Sequence, residues 1–550
     1  MPFTPLRIVE IGCVGAAVVL SGVLFLPASA DPVNVVKLVA LLGAAAGCLA
    51  AAAAAVVRER ELDLPAGDFP LALGIFVGAL AVALAASPST TTAMFGAPGR
   101  LSGFLLYQAA AVLVVSTLRG GLPGLVTVEI AVGAAALFTA SYGLLQYVGV
   151  DAVGWANEFN PIIASLGNPN FASAYMGVCA PVLVGLVLRT DQPRWLRATA
   201  AATAVGTALA ATLSGAVQGP LAAAAGLTVV LLAWLLNRPD PARRRRLVFG
   251  LAGIVGLGVS VLLIGAAGAG PASAIFGAGN FETRKWYWSA ALTMWRDAPV
   301  LGVGLDHYGR NWGTARPMSN VTALGGGDFT DAAHSVPLHL LATGGLVVAI
   351  AYLALVAVTL LALVRGFRTL EGNARLRLAS LGGGWVAYQV QSLVSIDQVP
   401  LVVLNFVLSA AVVVASGTSR LKHVRLPGAL PVEPERPAGR RRAASVAPRV
   451  RATTSGDVVL LGLISLVGLT LMWMALIPLR ADVAIRSGDN ALRRGDGNSS
   501  LDAYDKAIDL LPGRSAYWVR KAALMSNVQP ETALNAYDGA IKADPSNAAA

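Results

Sequence analysis

About thirteen separate stretches of this sequence carry enough consecutive apolar residues to cross a lipid bilayer, and no other feature limits the fold so tightly. A spanning helix needs roughly 20 such residues. Within lipid each backbone N–H and C=O must find its partner inside the protein, which makes helices the spanning element for runs of this length. The spans fall near residues 8–27, 33–57, 69–86, 101–118, 122–149, 170–188, 198–214, 219–236, 247–267, 337–364, 378–396, 399–416 and 458–478. With 56% of 550 residues hydrophobic and 13% charged, the chain has more apolar surface than one water-soluble core could hide. The expected class is all-α and polytopic. The first span is too long for a removable signal peptide and lacks its small-residue cleavage pattern, so it reads as an anchor.

The formal net charge of +11 would suggest nucleic acid in a soluble protein. Here the cations sit in alternate loops: Arg58 and Arg60; Arg119; Arg189, Arg194 and Arg197; Arg243 to Arg246; Arg365, Arg368, Arg375 and Arg377. That alternation is the positive-inside pattern, with the N-terminus cytoplasmic and loops 87–100, 150–169 and 268–336 outside. Nucleic acid is not implied, and the expected location is the cytoplasmic (inner) membrane. Cys13, Cys48 and Cys179 all lie in apolar runs, with neither disulfide nor metal-ligand spacing.

Residues 418–457, rich in Arg and Pro, read as a basic cytoplasmic disordered linker before the last span. An odd number of spans then carries the tail outside. In that tail AYDKAIDLLPG at 503–513 recurs as AYDGAIKADPS at 536–546, a period of 33. Small and aromatic residues at helical spacing, closed by Pro, resemble the tetratricopeptide repeat, with 481–495 as the first helix of a unit. Two units are fewer than a stable stack usually needs, so the module either docks on the membrane part or binds a protein partner.

Most usable polar chemistry is gathered in the outer stretch from Phe281 to Leu346, which holds Arg284, Lys285, Trp286, Trp288, Asp297, Asp306, His307, Arg310 and His334. Outward Arg100 reads either as a cation snorkelling to lipid headgroups or as a phosphate contact. Lys37, a few residues inside the second span, reads first as snorkelling and alternatively as facing a cavity near a phosphate. Trp286, Tyr287 and Trp288 suit sugar stacking or an interfacial aromatic belt. The runs GAGN (277–280) and GGGD (325–328) lack a strand–turn–helix context and read as mobile loop.

Three elements occur in a consistent order: SLGNPNFASAYM at 165–176, RKWYWSAALTMWRDAPVLGVGLDHYG at 284–309, and AHSVPLHLLATGGL at 333–346. Over roughly residues 30–420 this order resembles the bacterial O-antigen ligase family, whose related members include O-antigen polymerases and protein O-oligosaccharyltransferases. Arg284, Trp288, Pro299, Gly302, Gly304, His334, Leu338 and Gly345 match its motifs. Ser335 stands where Asn is common and Thr343 where Glu is common. The region TLSGAVQG at 212–219 has Ser214 and Gly215 but not the arginine often found there, leaving Arg100 or Lys285 to compensate.

The resemblance implies metal-independent transfer of a glycan from a polyprenyl-diphosphate carrier to a glycan, lipid or protein acceptor, with no cofactor. Chemistry sets its own requirements. The acceptor must lose a proton, for which histidine is suited, and the diphosphate leaving group must be met by fixed cations. His334 is the expected general base. Arg284, Arg100 and Lys285 are the expected diphosphate ligands, with Trp288, Asp306, His307 and Lys37 in support and His307 as rival base. His339 lies five residues past His334, which excludes an i, i+4 metal pair. A transporter or flippase of a lipid-linked solute, or a scaffold presenting the repeats, are the alternatives. Paired inverted halves with matching broken spans are not evident.

Overall fold

A computed structural model describes residues 4–155, 162–266, 268–270, 272–273, 280–425, 455–526 and 528–544. Among them are nineteen α-helices and one two-stranded ribbon, and the protein is an all-α, multi-pass membrane protein. Ten helices are long and apolar enough to cross a bilayer. The first are α1 (Pro5–Val23), α2 (Asn34–Glu59) and α3 (Asp68–Ala85). A short α4 (Thr90–Phe95) precedes α5 (Phe104–Tyr147), followed by α6 (Pro169–Leu188), α7 (Arg194–Leu213), α8 (Gln218–Leu236) and α9 (Pro241–Ala266). Then come α10 (Asn280–Asp297), α11 (Tyr308–Ala315), α12 (Met318–Leu324), α13 (Val336–Thr369), α14 (Gly372–Ser392), α15 (Val399–Ala415), α16 (Ser455–Arg493), α17 (Gly497–Leu510), α18 (Ser515–Met525) and α19 (Pro530–Ala543).

The 44-residue α5 consists of two helical limbs joined at a break. Gly121 has φ 53° and ψ −143°, a conformation open to glycine, and Pro123 beyond it lacks a donor N–H. Arg119 at this break pairs with Glu10 near the start of α1, and its carbonyl accepts from Arg7 Nη1 at 2.6 Å. Both far ends of α5 lie at the opposite face, one beside Gly99, which binds Asn34, and the other through Gln146 beside Ala164. Thus α5 is a hairpin of two limbs. Beside the ten, the 17-residue α15 is a shorter apolar helix. Helix α15 is buried along nearly its whole length, so protein surrounds it where lipid surrounds its neighbours.

One face of the bundle is tied by ion pairs. Arg7 meets Asp63 at 2.5 Å, and Glu129 takes both Arg189 and Arg377. On this face strand β1 (Glu61–Ala66) pairs antiparallel with β2 (Arg420–Arg425), Glu61 opposite Arg425 and Ala66 opposite Arg420. The expected disordered linker therefore does not start at 418: backbone pairing orders 420–425, and residues 426–454 lie outside the described residues.

On the opposite face α16 continues past its apolar part, so residues 481–493 belong to that helix and do not form a separate one. The C-terminal helices α17 to α19 fold back beside it, Gly488 against Tyr504 and Gly539 against Trp518. Repeat position Ile508 is 5% exposed, whereas its counterpart Ile541 is 44% exposed, as expected where no further helix among the described residues covers that face. The module docks on the membrane part: the Asp31 N–H donates to Asp482 at 2.7 Å, Arg514 Nη1 donates to the Gly96 carbonyl, and Arg310 pairs with Asp544.

Candidate functional site

The distal face collects the titratable groups between α4, the segment 298–335 and the first turn of α13. Its frame is a break in α13. Gly345 has φ +65°, which interrupts the helix, and residues 299–304 fill the gap. Val303 N–H donates to Ala342 O at 3.0 Å and Gly304 N–H to Thr343 O at 3.2 Å, while Leu346 N–H donates to Pro299 O at 2.9 Å. A Cβ on Gly302 or Gly345 would collide with the opposing backbone. These three glycines and Pro299 thus fasten the loop to the helix.

Asp306 is the hub. It has φ +58°, and its side chain is 1% exposed. Its carboxylate accepts from the Ala97 N–H at 2.5 Å and from Ser102 Oγ at 3.2 Å, and it pairs with Arg100. His339 Nε2 lies 3.0 Å from Oδ1 and 3.2 Å from Arg100 Nη2. An Nε2–H donated to the carboxylate leaves Nδ1 as acceptor, and that atom is buried with no hydrogen-bond partner among the described residues. Arg100 is 2% exposed, so it does not snorkel; its Nε faces Asp331 at 3.8 Å and has no hydrogen-bond partner among the described residues.

His334 has φ +50° and is half-buried, with its ring stacked on Tyr287 at 4.9 Å. Nδ1 lies 3.2 Å from Ala332 O, so Nδ1 carries the proton and Nε2 the lone pair. Burial holds this imidazole below its ordinary pKa of 6.5, and the positive charges of Arg284 and Arg100 act in the same direction against Ala332 O and Asp331. The group is neutral at neutral pH. Arg284 and Trp288 are both half-buried and share one side of α10 at i, i+4 spacing. Lys285 is exposed, about 100° around from Arg284, so the two cations do not share a side.

His307 is excluded as a base by its contacts. Nδ1 lies 2.6 Å from Leu305 O and Nε2 accepts the Ser89 N–H at 3.2 Å. With both nitrogens occupied, burial lowers its pKa to about 4. It holds the start of α4. Lys37 does not snorkel either: it is fully buried, with Nζ donating to Ser165 O at 2.7 Å just ahead of Asn168. The Asn168 side chain caps α6 by accepting from Asn170 N–H at 2.8 Å. The GGGD run is held as well, since the Gly326 carbonyl accepts from Arg316 and the Asp328 carbonyl from Trp312. Residues 277–279 of GAGN lie outside the described residues. No group of three metal-binding side chains occurs among the described residues.

The distal face thus joins a loop pinned to a broken helix with a half-buried histidine close to Arg284 and Arg100. Residues 200–353 match the O-Antigen ligase family model. No match is found among curated proteins. The matched stretch runs from within α7 to within α13 and contains Arg284, Asp306, His307, Asp331, His334 and His339. Arg100, Lys37 and the C-terminal helices lie outside it. The match supports glycan transfer in the broad sense of that family, from a lipid-linked donor to a glycan acceptor.

Sequence reading named Arg310 and Tyr287 but missed Asp331, and it weighed His339 only as a metal partner of His334. His339 fails the i, i+4 test against His334, but its partner is Asp306, 33 residues earlier in the chain. No local spacing signals such a pair.

Proposed function

We propose that this protein transfers a glycan from a polyprenyl-diphosphate carrier to an acceptor hydroxyl or amine at the outer face of the cytoplasmic membrane, without a metal. The observation that carries the reading is His334, neutral, with its Nδ1 on Ala332 O and its Nε2 lone pair without a partner among the described residues, on the same distal face as Arg284 and Arg100. That face lies opposite the arginine-rich one, which by the positive-inside rule is cytoplasmic.

In the reaction, Nε2 takes the acceptor proton as the acceptor oxygen or nitrogen bonds to the anomeric carbon. The bond from that carbon to the diphosphate oxygen breaks, and the electron pair departs with the diphosphate. Arg284 meets the charge that develops there, and the positive charge of buried Arg100 adds to it from a distance. Such a displacement inverts the anomeric centre. Asp306 and His339 act on Arg100 and fix its direction. His339 is not the base, because its uncommitted Nδ1 is sealed from the cavity.

The test uses His334→Asn, since Asn tolerates the left-handed backbone found there. Purified variant in liposomes with a lipid-linked glycan is expected to fold normally and transfer about 10²- to 10⁴-fold more slowly. Wild-type rates in the variant would remove His334 from the mechanism. Movement of donor across the bilayer by the wild-type protein, with no transfer, would favour a flippase.

A further inference from the structure

Beside the Asp306 hub lies a cavity of about 670 Å³ whose walls include Thr92, Trp312 and Phe329 on the membrane part and Arg514, Ser515 and Asp544 on the C-terminal module. That volume is in the range of pockets that hold small ligands. All of its walls are loops or short helices outside the spanning segments, so it opens to water and not to lipid.

Three guanidinium groups line it, and their commitments differ. Arg316 is absorbed by the carbonyls of Gly325, Gly326 and Asp328. Arg310 donates Nη2 to Thr92 Oγ1 at 2.6 Å and pairs with Asp544, while Nη1 has no hydrogen-bond partner among the described residues. Arg514, 3% exposed, donates Nη1 to Gly96 O, and its Nε is unpartnered on the same terms. Burial lowers the pKa of Arg310 to about 10, and the charge of nearby Arg514 acts in the same direction against Asp544, so Arg310 stays cationic at neutral pH. Arg514 is also the N-cap of α18 and provides no side-chain cap, so the positive end of an 11-residue helix, at Ser515 and Ala516, faces the same space. The other acidic walls are engaged elsewhere: Asp306 with Arg100, Asp331 toward Arg100, and Asp328 with Asn320.

We infer that this cavity binds the anionic group, carboxylate or phosphate, of an acid-bearing sugar, and that Asp544 is its displaceable internal occupant. A carboxylate on a guanidinium fork, beside a second arginine and a helix N-terminus, is how a uronate or a sugar phosphate would be held. The C-terminal module therefore supplies half of an acid-selective acceptor pocket and fills it while no acceptor is present. That this ligand is the acceptor rests on the transfer reading above; the binding itself does not.

Binding is measured on the full-length protein in nanodiscs without any lipid-linked donor, using glucuronate, glucose 6-phosphate and neutral glucose as probes. Asp544→Asn removes the competing charge. If the occupied form holds about nine-tenths of the molecules, affinity for both acid probes rises about ten-fold, and glucose stays weak in both proteins. Arg310→Lys, which keeps the charge and loses the fork, is expected to weaken the acid probes several-fold at unchanged thermal stability, so the inference does not hang on one variant. Unchanged acid-probe affinity in Asp544→Asn, or glucose bound as tightly as glucuronate, would overturn it. Farnesyl diphosphate serves as the membrane-borne source of the same chemistry; a gain for that probe alone would overturn the assignment to a water-borne sugar.

Discussion

Replacing Asp306 by Asn isolates the interaction on which the distal face turns. The pair Arg100–Asp306 is almost sealed, at 3% and 1% side-chain exposure, and the same carboxylate also binds the Ala97 N–H, Ser102 and His339. Asn preserves shape and one acceptor oxygen but deletes the charge, which leaves Arg100 with Asp331 alone at 3.8 Å, itself 36% exposed. Stranding one member of a buried pair costs about 3–5 kcal/mol, whereas removing both members together is often nearly neutral. Asp306→Asn should therefore lose about 3 kcal/mol or more, and the double variant Arg100→Gln with Asp306→Asn should recover part of that loss. Denaturant unfolding of the purified protein in detergent, run as a double-mutant cycle, gives the coupling directly. A single variant as stable as wild type, or a double variant whose cost equals the sum of the singles, would refute the view that Asp306 exists to hold Arg100.

Three further outcomes are expected. Transfer requires neutral His334, whose pKa lies below 6.5, so activity should be flat through neutral pH and fall only as pH drops through that lowered value. An acid limb above 6.5 in a rate profile would contradict this placement. Gly345→Ala puts a Cβ against the Val300 carbonyl at φ +65°, and left-handed backbone alone costs about 1–2 kcal/mol. The segment 281–335 should become cleavable by protease while the spans stay protected. Lys37→Met removes a buried cation whose Nζ donates to the Ser165 carbonyl, and should leave thermal stability equal or higher. A marked loss would show that the ammonium has a structural partner of larger worth.

Apolar run length determined the bundle. Ten of the described helices are long and apolar enough to cross lipid, and the break at Gly121 falls between two of the expected spans. Motif order in the sequence also marked Arg284, Asp306 and His334 as residues of one loop. Only the tertiary structure decided their partners. Asp306 meets Arg100 across about two hundred residues, His307 spends both nitrogens on backbone groups, Lys37 is buried where length suggested snorkelling, and the C-terminal helices reach Gly96 and Arg310. The physical reason is that hydrophobic length acts along the chain and shows in any window, while ion pairs and hydrogen bonds to buried groups depend on which helices become neighbours, a matter no local pattern encodes.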